Sequence, residues 1–144
     1  FESLNKSSFL NLKTSSLIFW FAFPISLITI FFSDRILFFF GSEFYAAKNI
    51  LIILTIGQFL NSICGSVGYI LQMTGKQKTF QNIITISTII NISLNFILIP
   101  NYGLIGAAIS NVISICLWNI SSMIYVYKYY NVVTLSNPFL IFKS

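Results

Sequence analysis

Apolar residues run down this chain in four long blocks, broken by short stretches where polar residues gather. The first block spans about residues 14–33, the second 46–71, the third 80–99 and the fourth 103–127. Each approaches or exceeds the roughly 20 residues that a helix needs to cross a hydrocarbon core of about 30 Å. None alternates strictly between apolar and polar positions, and all are longer than the strands of a membrane barrel. A helix satisfies its own backbone hydrogen bonds, so it is the structure that such a block can adopt in lipid. The pattern therefore predicts an all-α integral membrane bundle of about four transmembrane helices.

Polar residues inside the blocks recur at helical steps. In the second block Gln58, Asn61, Ser62, Gly65, Ser66, Tyr69 and Gln72 form one stripe. In the third, Asn82, Thr85, Thr88, Asn91 and Asn95 do the same, and in the fourth Gly103, Ala107, Ser110, Asn111, Ser114, Trp118, Ser121 and Tyr125 gather around one side. Two readings stand side by side. Small and polar residues let membrane helices approach and bond to one another. They also line water-filled pathways. An amide in a hydrocarbon core needs a partner, so Gln58, Asn61, Asn91, Asn95 and Asn111 are the candidates for a substrate pathway.

The breaks between blocks carry turn residues: Gly41, Gly75, Pro100, Gly103 and Gly106. Pro100 is expected to end the third span, because proline lacks the amide that would continue the helix ladder. Asn101, Tyr102 and Gly103 then make a minimal turn, and small residues let the fourth span return close against the third. Pro24 is expected to kink the first span. The first connection, DRILFFFGSEFYAAKN, mixes four charges with an apolar run and is expected at the membrane interface.

Composition sharpens this picture. The chain has 144 residues, 56% of them hydrophobic and 8% charged, with a mean hydropathy of +0.87. Soluble domains carry about 25% charged residues. The net charge of +5 would point to nucleic acid in a soluble protein. Here it reads as topology, with no nucleic-acid partner. Lys6, Lys13, Lys76, Lys78, Lys128 and Lys143 fall on one side of a four-span path, and Arg35 and Lys48 on the other. Short basic loops stay in the cytoplasm. Both ends of this piece are thus expected to be cytoplasmic, with the first and third connections outside. The chain has no histidine and three carboxylates, which leaves no catalytic centre, no metal site and no cofactor in the expectation. Cys64 and Cys116 read as buried thiols.

Certain turns carry a resemblance. FGSEFYAAKNILIILTIGQFLNSICGSVGYILQMTGKQK followed by NISLNFILIPNYGLIGAAISNVIS resembles the polysaccharide-unit, O-antigen-type flippases of bacteria. These belong to the superfamily that also holds multidrug and toxin extrusion transporters and lipid II flippases. The shared positions are Phe40, Gly41 and Phe44; Leu71, Gly75 and Lys78; Leu94, Asn95, Leu98, Ile99 and Pro100; and Tyr102, Gly103, Gly106, Ala107 and Ala108. The likeness implies that residues 1–144 are a C-terminal-like polysaccharide-biosynthesis transmembrane domain, a fragment of a transporter of 12 to 14 helices. The opening residue, Phe1, fits a piece of a longer protein.

The resemblance further implies a substrate, an undecaprenyl-diphosphate-linked oligosaccharide for surface polysaccharide or lipopolysaccharide synthesis. It would be moved across the cytoplasmic membrane by alternating access, with membrane lipids and the remaining helices of the full-length transporter as partners. Multidrug or other lipid export within the same superfamily is the alternative, followed by a non-transporting scaffold. An enzyme is disfavoured, because the outer connections hold only Asp34, Arg35, Glu43 and Lys48.

Overall fold

A computed structural model describes residues 2–64 and 67–130, and only the backbone at residues 2–14, 42, 43, 45 and 130. Residues 131–144, with Lys143, and two members of the second polar stripe, Gly65 and Ser66, lie outside the described residues. Every described segment of regular structure is helical. Helix α1 spans Glu2–Phe31 and α2 Ser33–Phe40; one stretch of 3-10 helix, Ser42–Ala47, leads into α3, Lys48–Cys64. Then come α4, Val67–Met73, α5, Gln77–Tyr102, and α6, Leu104–Tyr130.

Helices α5 and α6 are each long and apolar enough to cross a membrane, and the count reaches four if each bent pair is one span. One such pair is α1 with α2, meeting at 73°; the other is α3 with α4, at 47°. The second block is thus two helices rather than one. The first corner is made locally: the Ser33 hydroxyl donates to the Ile30 carbonyl at 3.1 Å, while the Phe32 amide still reaches Ile28 and the Ile36 amide reaches Phe32. Pro24 sits inside α1 without ending it.

Proline also fails to end α5, which continues past Pro100 to Tyr102. Proline removes one donor, and that loss is small in a last turn whose other carbonyls are taken. The Asn101 side-chain amide donates to Ile97 at 2.8 Å, and the Gly103 amide to Ile99 at 2.8 Å. The helix stops at Gly103, where φ is +58°, a conformation that glycine adopts without strain. Gly75, at φ +74°, closes α4 in the same way. The Lys76 amide reaches back to Leu71 and the Gly75 amide to Gln72, a two-bond C-terminal cap. Gly41, at φ +114°, follows α2.

Helix α6 is the hub. It packs on α5, α3 and α4, and α1 packs on the far side of α3. Contact is made through small residues: Ser62, Ser87, Ala108, Ser110 and Ser122 are all buried. A side chain on Gly106 would land on the Leu98 carbonyl of α5, and one on Gly57 would come within 2.6 Å of the Val112 methyl of α6. Close backbone approach of this kind is how helices associate where lipid supplies no hydrophobic drive between them. Larger residues form one small core, Val67, Leu71 and Val126, ringed by Ile70, Phe80, Met123 and Tyr125. Phe19, Phe23 and Phe59 bridge α1 and α3, with ring centroids about 6 Å apart. Most other large apolar side chains point outward: Phe21, Phe31, Phe96 and Leu104 are exposed.

Candidate functional site, an amide-lined cleft

The polar stripe of the second block lines an open cleft of about 530 Å³. Helix α3 supplies Gln58, Asn61 and Ser62, and α4 supplies Gly68, Tyr69 and Gln72. Ile18 and Ala22 of α1, Phe80 of α5 and Trp118 of α6 complete the wall. The break between α3 and α4 shapes it. The two helices carry successive parts of one stripe and meet at 47°. Trp118 stands edge-on to Phe80 at 6.0 Å and presents an indole beside the amides.

Asn61 is held from behind. The Asn119 side-chain amide of α6 donates to Asn61 Oδ1 at 2.8 Å and to the Ile115 carbonyl at 2.9 Å. Asn119 is 1% exposed, so the pair is an interhelical bond in a dry interior. One turn further along α6, Ser122 is fully buried. Asn119 Oδ1 and Ser122 Oγ have no hydrogen-bond partner among the described residues. A second polar tie joins α6 to α5, where the Ser114 hydroxyl donates to the Ser87 carbonyl at 2.9 Å.

The pathway candidates separate. Gln58 and Asn61 share the cleft. Asn91 and Asn95 lie elsewhere on α5 and bond to each other, Asn95 Nδ2 to Asn91 Oδ1 at 3.1 Å. Asn111 is an exposed residue of α6 outside the cleft. Of the third-block stripe, Asn82, Thr85 and Thr88 face outward. The two threonines return their hydroxyls to the Gln81 and Ile84 carbonyls at 2.8 and 2.9 Å. Sequence reasoning passed over Asn119 and Ser122. Their signal was the spacing Ala108, Asn119, Ser122, Val126, one residue round the helix from the stripe that the pattern picked out.

The cleft is uncharged. Its amides, hydroxyls and indole can donate to and accept from a neutral polar ligand. No group of three or more His, Cys, Asp or Glu that could hold a metal exists among the described residues. What the fold and cleft define is a multi-pass helical membrane protein with a polar recess between its spans. Comparison with known proteins is more specific: residues 9–97 match the MatE family, and the chain belongs to it. Over 84 residues it is 38% identical to a protein of Haloferax volcanii named as the probable low-salt glycan biosynthesis flippase Agl15. That stretch covers 58% of this chain and 18% of the relative. No solved structure matches.

Proposed function

We propose that this chain is part of a transporter that flips lipid-linked oligosaccharide units across the cytoplasmic membrane, for surface polysaccharide synthesis of the O-antigen type. The observation that carries this reading is the cleft. Its amide side chains and aromatic faces suit a sugar, which offers many hydroxyls and apolar ring faces and no charge. Family membership and a relative named as a glycan flippase support the same substrate class. The undecaprenyl tail stays in the bilayer. The diphosphate is met by charges from the remaining helices of the longer protein, since the cleft itself has none. Alternating access then requires the cleft to open to each side in turn. Lys76 and Lys78 face the cytoplasm, and Asn101 the outside.

The test is export in cells that carry the full-length protein. Asn61→Leu and Gln58→Leu each remove hydrogen-bonding capacity from the cleft without adding charge. Export of the glycan is expected to fall about tenfold or more with the protein still present in the membrane, a fall that corresponds to about 1.4 kcal/mol of lost binding. Wild-type export in both variants would remove the cleft from the pathway.

A further inference from the structure

The corner between α1 and α2 has a consequence for how the protein sits in lipid. The two helices meet at 73°, so they cannot both follow the membrane normal. The part of α1 that follows Ser15 carries no charge and, at about 1.5 Å per residue, is about 25 Å long. That nearly fills a hydrocarbon core. Helix α2 has eight residues, about 12 Å, too few to cross back. At the corner, Lys48 Nζ meets Asp34 Oδ2 at 2.6 Å, with the two side chains 40% and 55% exposed. An open ion pair is costly in hydrocarbon, which sets this corner at the level of the headgroups. The same pair ties the start of α2 to the start of α3, so the chain between them begins and ends at one depth.

Within α2, Arg35, Phe38 and Phe39 stand three and four residues apart and share the side opposite Ser33 and Leu37. Ser33 and Leu37, one turn apart, are buried against the protein. Phe38, Phe39 and Phe40 are 67%, 91% and 69% exposed, and Phe44 stacks near Phe40 at 6.2 Å. Phe39 is more exposed than any other large apolar side chain among the described residues. Arg35, exposed, lies over the Phe32 ring at 5.9 Å, where its charge can reach lipid phosphates. We propose that α2 lies in the plane of the membrane surface, inserts Phe38 and Phe39 into the boundary between headgroups and acyl chains, and lets Arg35 on the same side reach up to the phosphates. Its partner is the lipid bilayer itself. Short helices with an apolar face bind there by burying that face about 5–10 Å deep. Because α1 and α3 both line the cleft, the anchor fixes the depth of one cleft wall against the bilayer. This inference rests on the multi-pass reading and not on any substrate.

The experiment uses the full-length protein with native cysteines replaced, reconstituted in phosphatidylcholine and phosphatidylglycerol vesicles. Single spin labels go at Arg35, Phe38, Phe39 and Phe40. Collision with oxygen and with a water-soluble nickel chelate reports the depth of each. The expected result is oxygen-accessible, nickel-shielded labels at 35, 38 and 39 at one shallow depth, since these positions share a side of a helix lying in the plane. Depth increasing steadily by about 1.5 Å per residue from 34 to 40 would mean that the segment dives into the bilayer, and would overturn the proposal. Shielding from both reagents would overturn it too, by showing that other protein covers the face. Phe39→Trp, read by brominated-lipid quenching after subtraction of the native tryptophan signal, gives a second readout. Quenching by shallow bromines is expected to exceed quenching by deep ones, and the reverse order counts against the anchor.

Discussion

Asn61 and Asn91 look alike in the sequence and differ in the fold. Both are amides near the middle of an apolar block, and both follow polar residues at helical steps. Asn61 takes its hydrogen bond from another helix, and Asn91 takes one from Asn95 on its own. The same holds for hydroxyls. Thr29, Thr55, Thr85, Thr88 and Ser93 all return to the carbonyl four residues back. A residue that satisfies itself can face lipid cheaply, so a polar stripe does not by itself say which way a helix turns. Of the five pathway candidates, Gln58 and Asn61 line the cleft together, and Asn91, Asn95 and Asn111 do not. A double-mutant cycle separates the two kinds of amide. Asn61→Leu and Asn119→Leu are expected to couple by about 0.6–1.7 kcal/mol in reversible unfolding from lipid, the range for interhelical bonds in membranes. The Asn91 and Asn95 pair is expected to couple by only about 0.2–0.5 kcal/mol. Equal couplings would contradict the assignment of Asn61 and Asn119 as an interhelical tie.

Helix boundaries were legible where one residue type decides them. Gly75 and Gly103 mark helix ends because a positive φ is open to glycine and to little else. The α5–α6 hairpin follows directly from that. Pro100 misled because its cost depends on position: in the last turn it removes one bond, and Asn101 and Gly103 take up neighbouring carbonyls. The break that divides the second block into α3 and α4 had no proline to announce it, and the Gly65-Ser66 pair in the sequence between them reads equally well as part of the polar stripe. The helix interfaces allow a sharper test, because two glycines face different obstacles. At Gly57 the obstacle is a Val112 methyl, and at Gly106 it is the Leu98 backbone carbonyl. Gly57→Ala and Gly106→Ala are each expected to cost about 1–3 kcal/mol by overpacking. Adding Val112→Ala should restore most of the loss at Gly57. Adding Leu98→Ala should restore little at Gly106, because a carbonyl remains whatever the side chain. Thermal unfolding in detergent reads both pairs, and rescue of both would mean that the α5–α6 approach is looser than the geometry gives.

The whole molecule has few buried large residues and a wide apolar exterior, which is what a membrane protein of helices joined by small residues requires. Its orientation rests on a different force. The α4–α5 turn carries Lys76 and Lys78, both exposed, and the α5–α6 turn at the other end of α5 carries no charge at all. Since α5 runs unbroken from Gln77 to Tyr102, these two turns must lie on opposite sides of the bilayer. In the orientation proposed above, retention of the basic turn in the cytoplasm sets both at once. In the full-length protein with native cysteines replaced, Asn101→Cys is expected to react with a membrane-impermeant maleimide added to intact cells. Lys76→Cys should react only after the cells are opened. Replacing Lys76 and Lys78 by Gln while adding lysine at Asn101 and Tyr102 inverts the local charge difference without touching the cleft. That variant is expected to shift part of the population to the reversed pattern. If the reversed pattern were instead found in the unaltered chain, the assignment of the basic turn to the cytoplasm would be overturned, and the outside connections would be those expected inside.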